Sequence, residues 1–229
     1  MTPDEEPTEE DELYPFEVDP SRMMTVFRAF VLFDELFLHM QAMNVAIVDQ
    51  YLLSLEQDLL REYIEMERTP TDSAIFVSAL SQMWIFSTYE LLRTWRQRIR
   101  ELIQIADTKK RPKKVAQPHD ELNLNKHMRE HAIETALNTP GYADLLRKHD
   151  EVMLPIFRAC EAIRIPLAKH ETAKSHTVLP HSPGYARINM LCGAMDFEVI
   201  HSDHSFEFIN RRDIAEAIRK IDIDALPTA

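Results

Sequence analysis

Cysteine and glycine are scarce in this chain, and its N-terminal segment contains no basic residue. Two cysteines and three glycines occur among 229 residues. Cys160 and Cys192 form no CxxC pair, which argues against a disulfide framework and for a reducing compartment. The acidic N-terminus also lacks the positive charge of a secretory or organellar leader. We therefore expect a cytoplasmic protein.

The most apolar stretch, residues 23–48, is not free of charge. It contains Arg28, Asp34, Glu35 and His39. Each ionised group at the centre of a bilayer costs about 2.5–3.5 kcal/mol on insertion scales. The sequence therefore predicts no membrane-spanning segment.

Negative charge is concentrated at the N-terminus. Residues 1–21 hold nine of the 38 acidic residues and four of the 13 prolines, a composition typical of disorder. Subtracting this −9 from the net charge of −12 leaves −3 for the rest of the chain. We expect a disordered acidic tail over 1–21, followed by a nearly neutral folded part.

Two long helices are predicted in the first half of the chain. Residues 21–69 contain neither Gly nor Pro, and apolar residues recur there at helical spacing. A second apolar stripe extends from about Ser73 to Ala106. The pattern predicts a long antiparallel two-helix hairpin over 22–106. Because residues 23–48 are apolar on nearly every side, we also expect a homo-oligomer.

The second half combines helices with a β-hairpin. A basic loop over 109–118 precedes helices over 120–138 and from Tyr142 onward, the latter interrupted by two prolines. Residues 196–200 and 205–209 alternate with period two and predict a β-hairpin. These segments are followed by a last helix through residue 221, which Asn210 caps and which has Asp213 in its first turn. The fold class is mainly α. We expect a helical bundle over 22–176 that includes the long helical hairpin, with a small C-terminal β-hairpin plus helix over 177–229 packed on it.

One candidate site lies around Pro166. Proline favours the first position of a helix, so the sequence predicts a helix start here with Ile165 as the cap. The free amides near Leu167 and Ala168 would then face an anion. Positive and titratable side chains converge on the same point: Arg164, Lys169 and His170.

Residues 162–171, Ala-Ile-Arg-Ile-Pro-Leu-Ala-Lys-His-Glu, resemble the RNxxAH segment of the HEPN superfamily of helical proteins. Many members are metal-independent ribonucleases that act as dimers, and others only bind or mediate interactions. The resemblance implies that Arg164 steadies a scissile phosphate, that His170 serves as acid or base, and that Glu90 supplies an acidic group. Ile165 stands where active members carry a polar residue, which favours binding over cleavage.

Two other functions stay open. One is a non-enzymatic protein–protein interaction module. The other is a zinc-dependent hydrolase, because His127-Met-Arg-Glu-His131 matches HxxEH and places His127, His131 and Glu134 on one helical face. Solvated histidines on an amphipathic helix are the favoured interpretation of this motif, so we expect no metal or other cofactor.

Two polar segments are weaker candidates. A hairpin tip with His201, Asp203 and His204 is interpreted as an exposed turn rather than a metal site. The stretch from Arg93 to Lys114 is rich in basic residues. Such a stretch suits RNA phosphates or an acidic protein partner, including the acidic tail of this chain. RNA and an acidic protein are therefore both candidate partners.

Overall fold

The computed structural model describes residues 19, 21–111, 124–168, 178–179, 186–201 and 205–228. Helices dominate this part of the chain, and the strands are short. The elements are α1 (Arg22–Ala29), α2 (Leu36–Met66), α3 (Thr71–Thr108), α4 (Leu124–Asn138), α5 (Tyr142–Ala168), β1 (Val178–Leu179), β2 (Ala186–Ile188), β3 (Met195–His201), β4 (Phe206–Asn210) and α6 (Arg211–Arg219).

The predicted long hairpin is confirmed as α2 and α3, and residues 25–105 contain no strand. The prediction of one continuous first helix was wrong, because the chain turns between α1 and α2. There the Val31 N–H donates to His149 Nδ1 at 3.3 Å, and the Val31 carbonyl accepts from Trp95 Nε1 at 2.9 Å. Leu32 adopts a φ of 71°. Side chains from distant helices thus satisfy the backbone groups that a helix would have paired.

His149 connects three parts of the chain through hydrogen bonds and a ring contact. Its Nε2 lies 3.0 Å from the carbonyl oxygen of Pro227. Burial lowers the pKa of His149, which favours a neutral ring. Because Nδ1 accepts from Val31, the proton resides on Nε2 and is donated to Pro227. The ring also packs edge-on against Phe30 at 5.2 Å between centroids.

Helix α5 runs unbroken through Pro155 and Pro166, so the predicted interruption at both positions was wrong. An interior proline costs about 3 kcal/mol, mainly through one lost hydrogen bond and a steric clash. Pro155 is exposed, and so is Glu151 four residues earlier. The Glu151 carbonyl, which has no N–H of Pro155 to accept from, therefore belongs to an exposed residue. The buried face of α5 offsets the cost by packing into the core with Leu146, Met153, Ile156, Cys160 and Ile163.

The predicted hairpin is confirmed as β3 and β4, which pair antiparallel. Strands β1 and β2 were not predicted, since segments of two and three residues show no readable periodicity. Both pair with β3 on the side opposite β4, where β2 and β1 follow one another along its length. Within the described residues the sheet is therefore three strands wide. Residues 202–204 of the predicted loop lie outside the described part.

The predicted cap of the last helix is confirmed. Asn210 accepts from the Asp213 amide at 2.8 Å, and Asp213 accepts from the Asn210 amide at 3.1 Å. This reciprocal capping box satisfies two amides that the first turn leaves unpaired. The helix ends at Arg219 rather than Ile221.

The C-terminal segment packs on the helical bundle. Helix α6 contacts α1, α3 and α5, and β3 contacts α3 and α5. The turn before β3 approaches α2 so closely that a Cβ at Gly193 would lie 1.9 Å from the Glu56 carbonyl oxygen. Gly193 also has a φ of +72°, a conformation that side chains disfavour.

A fully buried ion network lies between α6 and α2. Arg211 donates from Nε and Nη2 to the two Glu56 carboxylate oxygens at 2.7 and 2.6 Å. Arg211 and Arg219 also both donate to Asp49. Burial opposes the charge on Arg211, but the Glu56 and Asp49 carboxylates outweigh it and raise the pKa of Arg211. The Arg211 guanidinium faces the Trp84 ring at 5.3 Å.

Among the described helices, α3 is long and apolar enough to cross a membrane by length and composition. Core helices of soluble proteins meet the same criterion. Here α3 packs against both α2 and α5.

Candidate interaction face and the Arg164 cluster

The structure brings together two of the side chains predicted to form a site. Arg164 lies near the end of α5, and its Nη2 is 3.7 Å from Glu90 Oε1 on α3. The Arg164 guanidinium also covers the Tyr89 ring, with Cζ 4.9 Å from the ring centroid. We call these three residues the Arg164 cluster.

The charge of the Arg164 cluster is largely balanced. Glu90 pairs with Arg164 and, at 2.7 Å, with Arg93. Burial raises the pKa of Tyr89, with a further contribution from the Glu161 carboxylate, so the phenol stays neutral. Its ring stacks on Phe157 at 5.1 Å. An anion approaching Arg164 would have to compete with Glu90.

The predicted helix start at Pro166 was wrong, and so was the capping role of Ile165. Both residues lie inside the final turns of α5, and Ile165 is buried. The amides of Leu167 and Ala168 therefore belong to a helix C-terminus, where the dipole is negative and disfavours anions. Lys169 and His170 lie outside the described residues. Of the predicted anion site, the described part of the chain therefore retains Arg164 but not the two amides at the start of a helix.

The geometry of the HxxEH segment does not favour zinc. His127 and His131 are exposed on α4, and Glu134 pairs with Arg111 at 3.0 Å. No cluster of three His, Cys, Asp or Glu side chains suited to a metal occurs among the described residues. Asp203 and His204, and the His201 side chain, fall outside that part.

The predicted basic stretch is partly neutralised by acidic partners. Arg96 is buried and donates to both Asp150 oxygens at 2.5 and 3.1 Å, and Arg98 pairs with Glu35. Burial raises the pKa of Glu35 even with Arg98 beside it. Less positive charge is therefore offered to phosphates than the sequence indicated.

A groove of about 390 Å³ opens between α2 and α3 beside the Arg164 cluster. Glu90 belongs to both features. The walls are mostly apolar and come from both helices: Phe37, Leu38, Gln41, Phe86, Ser87, Glu90, Leu91 and Thr94.

An exposed apolar stripe runs along α2 from this groove. Its members follow one another at intervals of three, four, three and four residues, the spacing of a coiled-coil seam. They are Phe37, Met40, Asn44, Ile47 and Tyr51. Phe37, Ile47 and Tyr51 are 53%, 57% and 58% exposed.

Helix α3 carries a matching set with Phe76 and Met83 exposed and Phe86 half-buried. Together the α2 stripe and these three residues form what we call the α2–α3 face. Between Leu36 and Leu55, α2 contains no Lys, Arg or Glu, and its one histidine and one aspartate are His39 and Asp49, of which Asp49 is buried. The apolar excess of 23–48 was predicted, but its position on one side of α2 required the structure.

Sequence reasoning missed the buried ion network. Asp49 and Glu56 are seven residues apart, within the same helical stripe as Leu52 and Leu59. Acidic residues inside an apolar stripe indicate a buried cation partner, since unpaired buried charges are too costly. That signal was present in the sequence.

Compared with models of known protein families, with curated proteins and with solved structures, the chain matches none of them.

Proposed function

We propose that this chain is a non-enzymatic helical interaction module that binds a second copy of itself through the α2–α3 face. The observation that carries the proposal is the exposed coiled-coil spacing on α2. Apolar side chains at that spacing gain most of their stabilisation when a second helix covers them.

The size of the face suits a stable interface. Aromatic side chains bury about 150–250 Å² each, and the large apolar residues of α2 and α3 are about half exposed. Half of that area for each of the six exposed members comes to about 600 Å². This is the upper end of the largest apolar patch on a typical monomer, about 300–600 Å², and it matches the smaller standard interfaces, which bury about 600 Å² per partner.

The proposal predicts that stability depends on chain concentration. Association stabilises the folded state by mass action, so each tenfold increase in chain concentration above the dissociation constant should add about 1.4 kcal/mol to the apparent free energy of unfolding per dimer, or about 0.7 kcal/mol per chain. Urea denaturation at 1, 10 and 100 µM chain measures this. A midpoint that stays constant over the series would contradict self-association.

A HEPN-like RNA-binding protein, with or without ribonuclease activity, is the second candidate. It is supported by the 3.7 Å approach of Arg164 and Glu90 from two helices, the pair that the resemblance implies. Ile165, which stands where active members carry a polar residue, favours binding over cleavage, and the helix dipole at the end of α5 would weaken the binding of a phosphate.

If Arg164 binds RNA phosphates, the Glu90 carboxylate must compete with them for its guanidinium. We expect Arg164→Ala to weaken binding of a short RNA oligonucleotide several-fold, and Glu90→Gln to strengthen it by freeing Arg164. Fluorescence anisotropy at low salt measures both. Arg61→Ala is the matched control, since Arg61 has an exposed acidic partner, Asp58, at 3.1 Å.

The same variants separate binding from catalysis. A ribonuclease that uses Glu90 would lose cleavage in Glu90→Gln while gaining affinity, and His170→Ala would abolish cleavage without unfolding the chain. Equal affinities in the Arg164, Glu90 and Arg61 variants would show that RNA does not bind at this cluster.

A further inference from the structure

We infer that the two copies pair antiparallel along α2, with the two-fold axis beside Asn44 and with Tyr51 of the second copy in the groove beside Phe37. This inference rests on the proposed self-association and specifies its geometry.

The α2 stripe is symmetric about its only polar member. Phe37 and Tyr51 lie seven residues before and after Asn44, and Met40 and Ile47 lie four before and three after. An antiparallel two-fold axis at Asn44 therefore sets Phe37 against Tyr51 and Asn44 against its own copy, and it brings Met40 within one residue of the position opposite Ile47. A residue contacting its own counterpart is the mark of an isologous interface.

Asn44 fixes this register. An amide facing a second amide can donate and accept one hydrogen bond in each direction, as polar residues do at coiled-coil seams. A shifted register would bury Asn44 against an apolar side chain, at a cost of about 1–3 kcal/mol for each unsatisfied group.

The groove accommodates the aromatic end of the partner stripe. Phe37 forms one wall of it, and Gln41 and Glu90 supply polar groups. In the antiparallel register the residue facing Phe37 is Tyr51 of the second copy, whose side chain is 58% exposed in the single chain. Its ring fits an apolar wall, and its hydroxyl can bond to a polar neighbour, the usual arrangement of tyrosine at interfaces.

Charge disfavours the parallel alternative. Beyond Tyr51, the acidic residues of α2 outside the buried ion network are Asp58, Glu62 and Glu65, against the single base Arg61. A parallel pair would bring these acidic halves side by side, whereas the antiparallel pair separates them. Antiparallel helix dipoles also attract each other, since opposite ends become neighbours.

This arrangement separates the two Arg164 clusters. Each cluster lies at the Phe37 end of its own α2, and Phe37 and Tyr51 are 14 residues apart, about 21 Å along a helix. The two clusters therefore lie at opposite ends of the interface and share no cleft. Each site gains Tyr51 from the second copy instead.

Disulfide trapping tests this geometry in the full-length chain with Cys192→Ser as background. Cys160 can remain, because it is buried and burial raises the pKa of its thiol to about 12. Under mild oxidation, Asn44→Cys should crosslink to itself. Phe37→Cys and Tyr51→Cys should each fail alone and crosslink when mixed, because disulfides need Cα atoms about 4.4–6.8 Å apart.

The outcomes separate this inference from the proposed function. Self-crosslinking of Phe37→Cys and of Tyr51→Cys would show a parallel pair and overturn the inference. A dimeric mass without any of these crosslinks would also overturn it while leaving self-association intact. A monomeric mass for the parent and all three variants would overturn both.

Discussion

Arg211→Met is expected to lower the free energy of unfolding by about 3–5 kcal/mol, the range for removing one partner of a buried ion pair. The loss would be large because Glu56 and Asp49, both fully buried, would lose the guanidinium that they share. Glu56 would keep only Arg212, and Asp49 only Arg219. Methionine retains much of the apolar contact of the arginine stem, so lost packing contributes little. Urea denaturation with linear extrapolation measures the difference.

Arg61→Met is the matched control for Arg211→Met. Arg61 pairs with Asp58 at 3.1 Å with both side chains more than half exposed, and such surface pairs contribute about 0–1 kcal/mol. Equal, small losses in the two variants would show that the buried network does not hold α6 against α2.

Ile47→Glu is expected to weaken self-association about a thousandfold. Ile47 lies one helical turn from the proposed axis, so each dimer would bury two carboxylates without partners. Burial of each would cost at least about 2 kcal/mol, and every 1.4 kcal/mol is a factor of ten in affinity. Because Ile47 is 57% exposed in the single chain, the fold should be nearly unaffected. Sedimentation velocity over a concentration series measures the change.

The control for Ile47→Glu is Val152→Glu on α5. It makes the same exchange of a β-branched apolar residue for a carboxylate, at a position that is 39% exposed and on a different helix from the face. Association should then match that of the unmodified chain. A similar loss in both variants would mean that added negative charge, rather than the α2–α3 face, controls association.

Sequence patterns predicted the helices and strands that are determined by residues close to one another in the chain. The spacing of apolar residues indicated α3 and the β-hairpin, and Asn210 with Asp213 indicated the cap of α6, because each signal lies within a few residues. The turn after α1 could not be predicted in this way. Its backbone groups bond to Trp95 and His149, which are distant in sequence.

The candidate site was predicted less well than the fold. The resemblance implicates Arg164 and Glu90, and the structure places them 3.7 Å apart, but the predicted helix start at Pro166 was wrong. Proline biases local conformation, whereas the packing of the α5 face acts over the whole helix and outweighs one lost hydrogen bond. The α2–α3 face was predicted only as an excess of apolar residues, since periodicity cannot tell which side the core covers.

Sedimentation equilibrium of the 229-residue chain at micromolar concentration tests whether the α2–α3 face binds a second copy. We expect a mass of twice the 26.8 kDa chain, falling to one chain mass in Ile47→Glu. A single-chain mass for the unmodified protein across the micromolar range would contradict it.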